Sequence, residues 1–228
     1  MSTEYKIYLV NESASTKNMW CFLTKPEGLT GPNVFANSSS SLSVTPNYAG
    51  TNLFTVPLQY SLQAGASNEA VGLDIRIDST ISVNADLKKK YQADYVTAPP
   101  KQGPNLTLDQ TGSSPAKTMA FKTNGFNKVQ NEDNQWFSSA TFGIETGNGF
   151  MGVTWSPDPN DTKTITPKFE FYIATGSFES NKLADFNTIS NDSAIIPLSM
   201  FKNLEATVTL TETGSWVVTA GRPELAMA

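Results

Sequence analysis

The sequence predicts an all-β protein, an antiparallel β-sandwich with long Pro/Gly/Ser-rich loops. Three observations carry that expectation. The stretch from 140 to 176 alternates apolar and polar residues with a period of two, which marks half-buried strands. Only 16% of residues are charged, so polarity rests on Asn, Ser and Thr, which favour turns over exposed helices. Short runs of Pro, Gly and Asn then punctuate the alternation throughout.

Taken in order, Tyr5, Ile7 and Leu9 share one face of a first strand, and residues 19–23 form a second that stops at Lys25-Pro26. A short strand follows at Ser43-Val44-Thr45. Phe54, Val56, Leu58, Tyr60 and Leu62 alternate as one strand; Pro57 lacks a ladder donor and places it at an edge or at a bulge. Val71, Leu73, Ile75 and Ile77 read as the clearest strand of the N-terminal half, continued by Ile81 and Val83. Residues 86–95 read as a helical turn, because Leu87 and Tyr91 lie four apart. Residues 98–115, rich in Pro, Gly and Ser, are either a linker between two domains or a long surface crossover within a single domain spanning 1–228. The crossover is preferred, because neither half holds enough strands to close a core.

Met119 and Phe121 open the second half. Asn124-Gly125 and residues 131–134 are turns. Residues 140–145 and 150–155 form a hairpin about Gly147-Asn148-Gly149, where Asn-Gly suits positive φ, and 168–174 complete a three-stranded meander. Phe142 and Ile144 share a face, as do Met151, Val153 and Trp155. A turn of helix at 182–185 and a short strand at 195–198 lead to a closing hairpin. There Ala206, Val208 and Leu210 turn through 211–214 to Trp216 and Val218.

Composition narrows function. A net charge of −5 and a pI near 4.8 leave no basic field for phosphate backbones, so nucleic acid is not the expected partner. No apolar run approaches a membrane span, and the N-terminus reads as a strand rather than a secretory leader. The expected location is therefore cytoplasmic as synthesised, with non-classical export open. Cys21, the only cysteine, reads as a small buried apolar residue. The absence of histidine removes Ser/His/Asp and Cys/His catalysis and the commonest zinc ligand. No catalytic residue is assigned and the chain reads as a non-enzyme. Asp74 and Asp78, flanking Arg76, are the one carboxylate pair that would suit glycoside hydrolysis.

The loop after Trp155 is the most suggestive polar cluster. Asp158, Asn160 and Asp161 are spaced as oxygen ligands for calcium, and Trp155 beside them offers a flat face for a sugar. The bland alternative is a turn with Trp155 in the core. No other cofactor is expected.

Residues 5–11, the strand end from Phe22 to Pro26, and Gly31-Pro32-Asn33-Val34-Phe35 resemble the opening of the rhizosphere-induced protein family. Residues 172–178, 194–197 and 204–217 resemble its later part, and 84–111 do not match. The resemblance implies a soluble bacterial protein of unestablished activity, made without a classical signal when cell-density signalling turns on in life with a host. It carries no catalytic motif across. The expected activity is binding, of a carbohydrate or a cell-surface ligand. Self-assembly into a homo-oligomer or larger array is the alternative, and membrane-active toxicity is a third reading.

Overall fold

The computed structural model describes residues 3–77 and 81–223. The first strand β1 (Glu4–Asn11) turns into β2 (Lys17–Leu23) through the Asn11 side chain. Its Oδ1 accepts from the Ser13 N–H (3.0 Å) and hydroxyl (2.7 Å), and its amide donates to the carbonyls of Ser15 and Val44. β3 (Val34–Ser38) and β4 (Ser41–Val44) follow. β5 (Asn52–Pro57) and β6 (Tyr60–Ser67) come next. Here the expected single strand is two. The chain leaves β5 at Leu58-Gln59 and changes sheet, after Pro57 has paired with Glu4 and the Leu58 N–H has bonded to the Thr3 carbonyl (2.8 Å). β5 is the edge of its sheet, as the proline requires.

The expected strand at 71–77 is not a strand. Gly72 and Asp74 turn the chain, with Asp74 at φ +59°, and Leu73 points outward. Residues 74–77 bond instead to 181–183: Asp74 N–H to Leu183 O (2.9 Å), Leu183 N–H to Ile75 O (2.9 Å) and Ile77 N–H to Asn181 O (3.0 Å). Alternation without burial on one face does not specify a ladder. β7 (Ile81–Ala85) then returns beside β6.

Residues 86–95 are not helical either. Lys88 adopts φ +67° and the chain enters β8 (Lys89–Asp94), with Tyr91 and Ala93 buried on one face and Leu87 left outside. The Pro/Gly-rich stretch contains β9 (Asn105–Ser113), an edge strand beside β8. β10 (Met119–Thr123) leads to helix α1 (Lys128–Asp133), which replaces the expected polar turn at 131–134. Asn127 caps α1 by accepting from the Gln130 N–H (3.1 Å).

β11 (Phe137–Thr146) and β12 (Gly149–Trp155) form the expected hairpin, in register from Thr146↔Gly149 to Ala140↔Trp155. Positive φ falls on Gly149 (+125°), not on Asn148. Gly143 and Gly152 lie opposite each other, and the Phe150 ring crosses where their side chains would stand. The meander stops there. β13 (Thr162–Ile165) intervenes, and β14 (Glu170–Thr175) joins a different sheet. β15 (Leu183–Ala184) occupies part of the expected helical turn, and α2 (Phe186–Asn191) follows it. The chain closes with β16 (Ser193–Pro197), a 3₁₀ turn (Leu198–Met200), β17 (Glu205–Leu210) and β18 (Trp216–Ala220).

Four sheets result, ordered β18-β17-β1-β5, β13-β10-β8-β9, β15-β3-β12-β11-β6-β7 and β16-β14-β2-β4. Pairing is antiparallel except for β1 with β17 and β8 with β10, which run parallel. β2 lies against β12 and β5 against β11. One apolar core takes Ile7, Phe54, Phe121, Phe142, Met151 and Phe171 from all four sheets. The 71–77 segment follows β6 and bonds beside β15, one edge of the six-stranded sheet, and β7, the other edge strand, starts only four residues after Ile77. Among the described residues no helix is long and apolar enough to cross a membrane.

The turn before β17 carries measurable strain. Lys202 and Glu205 exchange both backbone hydrogen bonds (2.9 and 3.0 Å) around Asn203 (φ +54°) and Leu204 (φ +66°). Such a turn favours Asn-Gly, and Leu204 pays the left-handed penalty with a half-exposed side chain. Leu204→Gly is expected to stabilise the protein by about 0.5–1 kcal/mol, raising Tm by about 1–4 °C in a calorimetric scan. A lower Tm would mean that the leucine side chain outweighs the backbone.

Candidate functional site

The loop after Trp155 is a turn wired to its own protein. Trp155 is 3% exposed and packs edge-on against Phe121 (centroids 5.5 Å, 78°), so its face is not offered to solvent. Asp158 pairs with Lys128 (2.8 Å), and Asp161 pairs with Lys163 (3.0 Å) and accepts from the Thr162 N–H (2.7 Å). Asn160 takes the left-handed position (φ +55°) and donates its N–H to the Asn124 carbonyl (2.9 Å). The Thr123 hydroxyl donates to the Asp158 carbonyl (2.6 Å) and accepts from the Asp161 N–H (3.0 Å). The three polar residues are thus together, with Trp155 directed away from them. Among the described residues no three His, Cys, Asp or Glu side chains converge on a common ion position.

Asp74 and Arg76 do not sit on a strand. They lie on the 71–77 segment, exposed, with Arg76 bridged to Lys182 through the backbone. Asp78 lies outside the described residues. Cys21 is fully buried beneath β12, its Sγ 3.6 Å from the Met151 sulfur. Burial pushes the thiol pKa far above its ordinary value, which removes the thiolate.

The concavity worth attention lies elsewhere, a groove of about 480 Å³ between the 71–77 segment, the end of β14 and α2. Its wall combines the carboxylates of Asp74, Asp185 and Asp192 with the hydroxyls of Thr175, Ser177 and Thr188, and Phe178 supplies an aromatic face. None of the lining residues is basic. Each side chain arrives for a local reason. Asp185 caps α2, accepting from the Asn187 N–H (2.6 Å), and Asp192 ends the same helix. Asp74 is carried in by the bonds from its segment to 181–183.

A small apolar cluster underlies the groove. Trp20, Phe22, Ala36, Ala174 and Ile189 are buried there, and Phe178 stands edge-on to Phe22 (5.0 Å, 69°) and Trp20 (6.1 Å, 68°). Ser193, Ala174 and Trp20 are direct neighbours across β16, β14 and β2, so they share one sheet face. Ala174 lines the groove. On either side of it, Trp20 Nε1 and Ser193 Oγ are buried with no hydrogen-bond partner.

Of this wall, sequence reasoning had singled out only Asp74. The remaining residues come from segments far apart in the chain, and none forms a motif. No protein-family model, curated protein or solved structure matches the chain.

Proposed function

We propose that the protein is a non-enzymatic binding module whose groove takes a polyhydroxylated, carbohydrate-like ligand. The observation that carries this reading is one groove with three carboxylates, three hydroxyls and an aromatic face, and no cation among its lining residues. Sugar hydroxyls donate to carboxylates in charge-assisted hydrogen bonds, and the C–H face of a pyranose covers an aromatic ring. The lack of histidine and the buried Cys21 support binding over catalysis. The resemblance to the rhizosphere-induced family supports a host-associated setting, where a glycan or a cell surface is at hand.

A glycan array followed by calorimetry on its hits, with and without calcium, tests the reading. Asp192→Asn is expected to weaken the best ligand about tenfold or more, as loss of one charged hydrogen bond does, and Phe178→Ala to weaken it further. An array without hits, or full affinity in both variants, retires the groove as a sugar site. Self-association is a second reading, supported by exposed Ile195, Leu198 and Val217 on β16, the 3₁₀ turn and β18, which pack together. A sharp monomer in light scattering at high concentration removes it.

A further inference from the structure

The chain contains two Asn-Gly steps, Asn124-Gly125 and Asn148-Gly149. In this dipeptide no side chain shields the backbone nitrogen after the asparagine, so that nitrogen can reach the carboxamide carbon. The fold treats the two steps oppositely. Asn124 is held at every polar atom. Its Oδ1 accepts from the Tyr95 N–H (2.8 Å), and its Nδ2 donates to the Tyr95 carbonyl (2.9 Å). Its own N–H donates to Ala93 O (3.2 Å), and its carbonyl accepts from the Asn160 N–H (2.9 Å). Rotating this carboxamide toward Gly125 would break both side-chain bonds.

Asn148 sits at the tip of the β11–β12 hairpin. Its backbone N–H bonds to Thr146 Oγ1 (3.1 Å), but among the described residues its carboxamide has no hydrogen-bond partner. The tip is open on the Gly147 side, where a side chain would meet nothing within 4 Å, while Gly149 is backed by Ser39. We propose that Asn148 is a spontaneous deamidation site of this protein and that Asn124 is protected by the fold.

In the reaction the Gly149 nitrogen loses its proton and bonds to Asn148 Cγ, and the Cγ–Nδ2 bond breaks to release ammonia. Water then opens the succinimide at either carbonyl, leaving aspartate or isoaspartate. The net change is one water consumed and one ammonia lost. Each product adds a negative charge near the exposed Glu145. The isoaspartyl product also adds a methylene to the backbone at a tip that is bonded to Ser39. There Phe150 N–H donates to Ser39 Oγ (2.8 Å) and Ser39 N–H donates to Phe150 O (2.7 Å). Hairpin and β3–β4 corner would therefore loosen together as the protein ages.

The test is incubation of the folded protein in mildly alkaline buffer, with peptide mass spectrometry and enzymatic isoaspartate labelling. The peptide holding Asn148 should gain one dalton and label, at a rate about tenfold or more above that of the Asn124 peptide. In urea, where the Tyr95 bonds are gone, the two rates should converge. Asn148→Gln should abolish the labelling at the tip while keeping the circular dichroism spectrum. Equal rates in the folded protein, or a faster reaction at Asn124, would overturn the proposal, as would a tip that stays amidated.

Discussion

Trp155→Ala is expected to destabilise the protein by about 3–5 kcal/mol in a denaturant titration, the cost of removing a large aromatic from a filled core. The indole is 3% exposed and closes against Phe121 at 5.5 Å. It belongs to the last position of β12, in register with Ala140 of β11 and Val34 of β3, so the void would open under the six-stranded sheet. Trp155→Phe should cost well under half as much. It keeps most of the ring contact and deletes Nε1, a buried donor that bonds to nothing within the chain. The pair of variants separates packing from recognition. A Trp155→Ala protein of unchanged stability that loses a ligand would mean that the ring serves a binding face after all.

The second large effect is expected at Asn131, which is 1% exposed. Its Oδ1 accepts from the Ala98 N–H (2.6 Å) and its Nδ2 donates to the Val96 carbonyl (3.0 Å). Asn131→Ala should cost about 2–4 kcal/mol, because it strands two backbone groups that have left water. Asn131→Asp can replace both bonds only when protonated, its O–H donating to the Val96 carbonyl. It should therefore fall between alanine and wild type at low pH, and cost at least as much as alanine where the carboxylate is charged. The reason for so large an effect is that the 95–104 stretch is held by side chains. Gln130 donates to Ala98 O (2.8 Å), Thr97 accepts from the Asn127 N–H (2.9 Å), and Trp136 donates to Gln102 O (3.0 Å). An alanine variant within about 0.5 kcal/mol of wild type, the range of an ordinary surface change, would show that the loop holds itself.

These two residues also show how the chain can be read and where reading fails. Trp155 ends a run with period two, and the core face of that run was legible before any fold was known. The polar residues after it carried an ambiguous pattern. Oxygen ligands and an ordinary turn use the same Asp, Asn and Pro, and only Lys128, Lys163 and Thr123, brought from elsewhere, distinguish them. Asn131 looked like a surface turn because a buried asparagine and an exposed one have the same letter. The groove was less legible still. Its residues arrive from the 71–77 segment, a strand end and a helix cap, with nothing in common along the chain.

Local alternation determined by itself that this is a β protein. The apolar pattern placed β1, β2, the β11–β12 hairpin and the β17–β18 pair. But β11 and β12, expected to be half-buried, are buried on both faces, as β2 is, because Ser138, Ser139, Thr141 and Thr154 are covered as well as the apolar side. The pattern could not determine which sheet a strand joins. β5 and β6 part company at Leu58-Gln59, β14 leaves the meander, and β1 takes the distant β17 as a parallel neighbour. The 71–77 run, alternating as well as any strand, was claimed by residues 181–183. Backbone donors and acceptors are the same at every residue, so pairing is settled by which apolar faces can be closed together at once. That is a property of the assembled core, and the groove beside Phe178 exists only as its consequence.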